Sequence, residues 1–302
     1  MRHRFLAVGT AALVGVAIAA SSSAAAQLPV IYDGVLGYAH ASPTASPPGA
    51  NDWSCKPSAA HPRPVILVHG TFADMSDSWQ ALSPLLYDNG YCVFALNYGS
   101  YGGSGQLGIY GTGDIEQSAQ QLASFVTRVL RATGANKVDL VGHSQGGMMP
   151  RYYLRFLGGA AKVRTLVGLS PSNHGTSVDG LFTLANFLGA SSFLGVLCPA
   201  CEQQDLGSAF LTKLNSGADT VPGVHYTVIQ SANDEVVTPY TSAFLSGTNV
   251  TNILLQSQCF LDQGEHLSMP YDHIADGDVM NALDPAHQVA PACTPVLPVA
   301  GG

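Results

Sequence analysis

Charge is scarce in this 302-residue chain: Asp, Glu, Lys and Arg together make up 11%, with 12 basic side chains against 20 acidic ones. So thin and acidic a set excludes the basic surface that nucleic acid or an anionic membrane requires of a partner. Aromatic residues are also few, at 8%. Beyond the first 20 residues no apolar run is long enough to cross a bilayer. There is no internal repeat. Cysteine stops at six, and the one C-x-x-C, Cys198 to Cys201, has neither a second such pair nor a histidine at partner spacing, so no metal site is expected. The low charge does not signal disorder, because 46% of the chain is hydrophobic and gathered into runs.

At the amino terminus, Arg2, His3 and Arg4 precede an apolar run from Phe5 to Ala20 and then Ala24-Ala25-Ala26. That pattern predicts a signal peptide over 1–26, cleaved near Ala26, and hence a secreted protein; an uncleaved anchor is the rival reading. With Arg2 and Arg4 set aside, 10 basic side chains face 20 acidic ones. Residues 27–302 suit a single α/β domain. In an exported chain the even set Cys55, Cys92, Cys198, Cys201, Cys259 and Cys293 predicts three disulfides, of which fifteen connectivities are possible. Sequential pairing is preferred. Cys55 and Cys92 flank the first apolar strand and its helix, and closing that loop contributes about 4 kcal/mol on the chain-entropy model. Cys198-Pro-Ala-Cys201 also has the spacing of a redox pair, but a local staple is the simpler reading.

Residues 27–64 are rich in Pro, Ala and Ser and show neither period, which predicts an extended arm held at Cys55. A buried strand over Pro64 to Val68 then ends in His69-Gly70-Thr71-Phe72. Asp77 or Ser78 is placed to cap a helix over 79–88, and a strand follows over 92–96. The glycine- and tyrosine-rich stretch 98–113 reads equally as a pocket wall or a surface loop. From Asp114 to Gly134 the residues Ile115, Ala119, Leu122, Val126 and Val129 fall at helical spacing between a cap and a stop. Strands are expected over 138–141, 163–169, 224–230 and 253–256, with a terminal helix over 276–283 and a tail pinned by Cys293. The stretch 181–214 breaks into short apolar pieces, which reads as a helical cap over an apolar pocket or as two ordinary core helices. Strands alternating with helices call for a mostly parallel sheet covered on both faces.

The stretch Gly142-His143-Ser144-Gln145-Gly146 interrupts this alternation between an apolar strand and a helix. A serine raised on a strand-to-helix turn has strained backbone angles, and the residues two before and two after it must be nearly free of side chain. Its hydroxyl is a weak nucleophile that needs a histidine to take its proton and a carboxylate to hold the imidazole. In this architecture the chain order is Ser, acid, His, which Ser144, Asp234 and His266 satisfy. Glu235, Asp219 and Asp262 compete for the acid, but Asp234 directly follows a buried strand. His273 competes for the base, while His69 and His143 read as hydrogen-bonding residues of their loops. The backbone N–H groups of Thr71 and Gln145 are placed to meet an oxyanion.

The stretches GANDWSCKPSAAHPRPVILVHGTF, GYCVFALNYG, LVGHSQGGMMPRYYL, SPSNHGT, SANDEVVTP and EHLSMPYD resemble the secreted bacterial class 2 lipase family and, more distantly, the yeast lipase B type. The resemblance runs from about Gly49 to Pro285. It implies an α/β-hydrolase fold with Ser144 as nucleophile, Asp234 as acid, His266 as base and Thr71 with Gln145 as oxyanion donors. It also implies an extracellular esterase or triacylglycerol lipase acting on ester or lipid without an organic cofactor, in transient contact with a lipid interface and needing no obligate protein partner. An acyltransferase using the same three residues is the first rival; a non-catalytic binding protein on this fold is the second.

Overall fold

The computed structural model describes residues 26–190 and 198–302, besides Met1; most of the expected signal peptide (2–25) and part of the expected cap (191–197) lie outside the described residues. The apolar runs become strands β1 (Val65–Val68), β2 (Val93–Leu96), β3 (Val138–His143), β4 (Val163–Leu169), β5 (His225–Gln230) and β6 (Val250–Leu254). They pair in the order β2-β1-β3-β4-β5-β6, every pair parallel. Parallel neighbours need crossovers, and the crossovers cover both faces, so β1, β2 and β3 are buried at every position.

Alternation along each strand sorts the core into two layers. Ile66, Val68, Phe94 and Leu140 pack on the face of the long helix α3 (Ile115–Thr133) and of α4 (Gln145–Phe156). Val65, Leu67, Val93, Val141 and Val167 pack on the opposite face, against α2 (Leu82–Asp88) and α9 (His273–Leu283). The Asp114 carboxylate accepts the Gln117 N–H at 2.8 Å to open α3, and Gly134 closes it in the left-handed region at φ 78°.

Several local expectations are corrected. The arm 27–64 is not extended throughout: Asp33 caps a helix, α1 (Gly34–His40), through the Leu36 N–H. Gly37 lets α1 lie directly against the Tyr271 ring, where a Cβ would collide. Helix α2 begins at Leu82 rather than near Trp79, because the Asp77 carboxylate is engaged by the Asp74 N–H and the Ser78 hydroxyl and caps nothing downstream. The last strand ends at Leu254, and Leu255–Gln258 form a single helical turn, α8. Helix α9 starts three residues early, at His273, because Asp272 accepts both the Ile274 and Ala275 N–H groups.

The arm also solves a problem that its composition does not announce. Strand β2 is at the sheet edge, with unpaired backbone groups open to association. Asn51 covers them: its N–H donates to Val93 O at 2.9 Å, its amide nitrogen to Ala95 O at 3.0 Å, and its amide oxygen accepts the Ala95 N–H at 3.0 Å. The Cys55–Cys92 disulfide fixes the arm beside this contact. Cys198 is joined to Cys201 and Cys259 to Cys293, with no free cysteine among the described residues.

Candidate active site

Four loops meet at the carboxyl edge of the sheet, where open α/β sheets place their ligands. At the end of β3, Ser144 stands alone between strand and helix with φ 55° and ψ −126°. That is a left-handed φ on a residue with a side chain, held in place by the Ser144 N–H to Leu169 O bond at 2.9 Å. A Cβ on Gly142 would run into the Gly146 carbonyl, and one on Gly146 into the carbonyls of Val68 and His69. Only glycine lets strand, turn and helix approach this closely.

The turn after β5 carries Asp234. One oxygen accepts the Val236 and Val237 N–H groups at 2.9 and 2.7 Å, the other the Gln230 side-chain amide at 3.1 Å. Beyond β6, His266 reaches the same carboxylate through Nδ1, at 3.0 and 3.1 Å. Both side chains are fully buried. A carboxylate acceptor requires the proton on Nδ1, which leaves the lone pair on Nε2, and Nε2 has no hydrogen-bond partner among the described residues. Burial opposes ionisation of Asp234, but the His266 charge and hydrogen bond, with the two N–H donors, outweigh it and hold the carboxyl below its usual range. Burial likewise opposes a charged His266; the Asp234 charge and hydrogen bond, aided by Glu235 and Glu265, raise its pKa above the ordinary histidine value.

His143 locks the His266 loop to the elbow. Its Nε2 donates to His266 O at 2.9 Å and its ring stands 4.8 Å from the His266 ring. Burial, then the His266 charge, push His143 down to about 3, so it stays neutral. His69 is lowered to about 4 by burial; its Nδ1 bonds the Gly70 carbonyl and its ring stacks on Tyr98.

Thr71, after β1, and Gln145, the first residue of α4, each keep a backbone N–H with no acceptor among the described residues. The Gln145 side chain donates to Thr71 Oγ1 at 2.9 Å and to Gly111 O at 2.8 Å, which makes 98–113 a wall of the site. A second amide, from Gln204 at the end of α6 (Pro199–Gln204), also donates to Thr71 Oγ1 at 2.9 Å, and Ser172 donates to Gln204 Oε1 at 2.9 Å. With both lone pairs taken, the Thr71 hydroxyl has its own proton left to donate elsewhere. Gln204 escapes a reading of the sequence, since it lies in no motif and acts across a long stretch of chain; Ser172 lies in the SPSNHGT stretch, but nothing there announces its bond to Gln204.

The competing residues go elsewhere. Asp219 accepts from Ser246 N at 2.8 Å and pairs with His174 Nε2 at 3.1 Å. Asp262 takes the Gly264 N–H at 2.8 Å. His273 holds the tail through Gly302 O, Ala292 O and the Thr294 hydroxyl. Among the described residues no cluster of His, Cys, Asp or Glu is arranged to hold a metal.

The sequence that builds this buried histidine, buried carboxylate and strained serine elbow matches, over residues 62–272, the model of a known family described as Lipase (class 2). The chain belongs to the class 2 lipase family. Among curated relatives, a triacylglycerol lipase of Pseudarthrobacter phenanthrenivorans is 40% identical over 99 residues, 31% of this chain and 28% of that protein. Lipase B of Pseudozyma antarctica is 31% identical over 130 residues, 43% of this chain and 35% of that protein. The chain thus spans only about a quarter to a third of the length of these relatives. In three dimensions it is similar to Aspergillus fumigatus lipase B (TM-score 0.58, 20% identity, 82% of this chain and 57% of that chain). It is also similar to Bacillus licheniformis lipase BlEst2 in mature form (TM-score 0.54, 17% identity, 75% and 94%). The fold is that of the α/β-hydrolases.

Proposed function

We propose that the chain is a secreted serine hydrolase of carboxylic esters, acting on acylglycerols or related lipid esters. The observation that carries this reading is His266: buried, hydrogen-bonded to Asp234 through Nδ1, and with Nε2 free beside the Ser144 elbow. In this mechanism Nε2 takes the Ser144 proton as Oγ attacks the ester carbonyl. The developing oxyanion is met by the N–H groups of Thr71 and Gln145, with the Thr71 hydroxyl as a third donor. The imidazolium is stabilised by Asp234 and returns its proton to the departing alcohol, leaving an acyl-enzyme. Water, activated by the same Nε2, releases the acid. No organic cofactor enters any of these steps.

The substrate class rests on the relatives, which are named as triacylglycerol lipases and a lipase B. It is supported by the apolar rim: Tyr101, Leu107 and Leu206 are exposed on segments whose inner residues touch Gln145 and Thr71. Phe182 is exposed on α5 (Val178–Phe187). These side chains suit transient contact with a lipid surface. Helices α5, α6 and α7 (Ala209–Asn215) would form the cap over 181–214 on a single domain of residues 27–302. Secretion is supported by the amino-terminal motif and the three disulfides. Among the described residues no helix is long and apolar enough to cross a membrane.

A chain-length series of soluble and emulsified esters, with product analysis in the presence of an added alcohol, tests this reading. Release of free acid that disappears in Ser144→Ala is the expected result. Hydrolysis persisting in that variant, or transfer to the alcohol with no free acid formed, would contradict it.

A further inference from the structure

Beside the pair Asp234–His266 lies a second pair of acidic side chains that the mechanism above does not use. Glu235 directly follows Asp234 and Glu265 directly precedes His266. Glu265 is buried and anchored: it accepts N–H bonds from Leu267 at 2.7 Å, Ser268 at 3.1 Å and, from the carboxyl-terminal tail, Val299 at 2.7 Å. The Glu235 carboxyl comes from the other loop to within hydrogen-bonding reach of Glu265, and its Oε2 is buried with no conventional donor among the described residues. Two carboxyl groups can bond only if a proton lies between them. Three N–H groups already require lone pairs of Glu265, so Glu235 is the partner that carries the proton.

We propose that Glu235 and Glu265 are positioning residues: a shared proton clamps the loop of Asp234 to the loop of His266, and loss of that proton closes the alkaline side of the activity profile. The proposal rests on Ser144, Asp234 and His266 being the reacting set. The groups facing the pair permit it. Burial, followed by the Glu265 charge and hydrogen bond, pushes Glu235 up to about 7, with His266 pulling weakly the other way. Tyr38 of α1 faces Glu265, and burial raises it far enough to stay un-ionised over the working range. Below neutrality Glu235 therefore keeps its proton and the loops are tied. Above it two carboxylates face each other at short range, the tie becomes a repulsion, and Asp234 and His266 are pulled out of register.

One measurement needs no variant. The sequence has four glutamates, so carboxyl 13C NMR of glutamate-labelled protein should resolve the Glu235 signal and show it titrating near 7. If all four titrate in the ordinary carboxylate range, the proposal is overturned. The activity test compares wild type with Glu235→Gln, whose amide still donates to Glu265 but cannot ionise. The ratio of kcat at pH 9 to kcat at pH 6.5 should be at least about fivefold higher in the variant, with KM changed less than about twofold. Glu235→Ala, which breaks the tie at every pH, should lower kcat about tenfold at both. A Glu235→Gln profile superimposable on wild type would overturn the proposal. Ser144→Ala run in parallel separates the two claims: if it hydrolyses ester, the reading of the reacting set has failed, whatever the glutamates do.

Discussion

Gln204 donates its side-chain amide to Thr71 Oγ1 at 2.9 Å, joining two residues 133 positions apart. Helix α6 is thereby tied to the loop proposed to meet the oxyanion, and Ser172 holds the other end of the same amide. The Thr71 hydroxyl is aimed by this bond and by the matching one from Gln145.

Replacing Gln204 by Leu removes both bonds while keeping much of the volume. We expect kcat to fall by about tenfold with KM nearly unchanged, since a misdirected donor is felt in the transition state more than in substrate binding. Initial rates on a soluble ester, with circular dichroism as a folding control, check this. A rise in KM alone would assign Gln204 to substrate binding instead.

The two carboxyl-terminal histidines should behave differently. His266→Ala is expected to lose several orders of magnitude in kcat, comparable to loss of the serine, because members of such a set act as a unit. His273→Ala should keep at least about a tenth of the rate and lose stability, since among the described residues its ring bonds Gly302, Ala292 and Thr294 of the tail. Rates and thermal melts of both variants decide the matter, and reversed results would withdraw His266 as the base.

With His266 as the proposed base, the direction of its shift sets the acid side of the profile. Its pKa is raised above 6.5 chiefly because Asp234 overcomes the burial penalty, and it must be neutral to accept a proton. As pH falls through that raised value, kcat/KM should fall with it, at a midpoint above 6.5 rather than below. A kcat/KM profile between pH 5 and 8 measures it. Asp234→Asn should cut kcat by about ten-thousandfold, the scale seen when the wrong tautomer is imposed on such a histidine.

Asp276 supplies a stability test. It is fully buried with neither oxygen bonded among the described residues, and burial followed by the Asp272 charge holds its pKa well above the ordinary value. The unfolded chain releases this proton near pH 4, so the stability that the neutral form permits is fully present below that point. It drains away as pH rises toward the folded pKa. Asp276→Asn cannot ionise, so its Tm should exceed that of wild type by on the order of a few degrees at pH 8 and by less at pH 5. A Tm difference that shrinks as pH rises would reverse the sign of this argument.

What the sequence discloses is what depends on neighbours along the chain. The inner strands are visible because strands buried on both faces are largely apolar, whereas β6, part-exposed with Thr251 and Asn252 in its middle, shows only its end in the sequence; α3 is visible because Asp114 and Gly134 bracket its period. The elbow is legible for the same reason: Gly142 and Gly146 answer a steric demand two residues away. Helix α1 is missed because its apolar face is small and its fit depends on Tyr271, far along the chain. The late start of α2 follows from Asp77 being engaged by its own loop. Gln204, Asn51 and the Glu235–Glu265 pair act across the fold through single polar groups, and a single polar residue leaves no period to detect.

The central claim is that Ser144 is a nucleophile activated by His266. Mass spectrometry after treatment with an organophosphonate ester tests it most directly, because the reagent traps an activated serine whatever the natural substrate. One phosphonyl adduct per chain is expected, on the peptide containing Ser144, formed by the wild type and absent from both Ser144→Ala and His266→Ala. An adduct mapping to another residue, or labelling of Ser144 at full rate without His266, would contradict it.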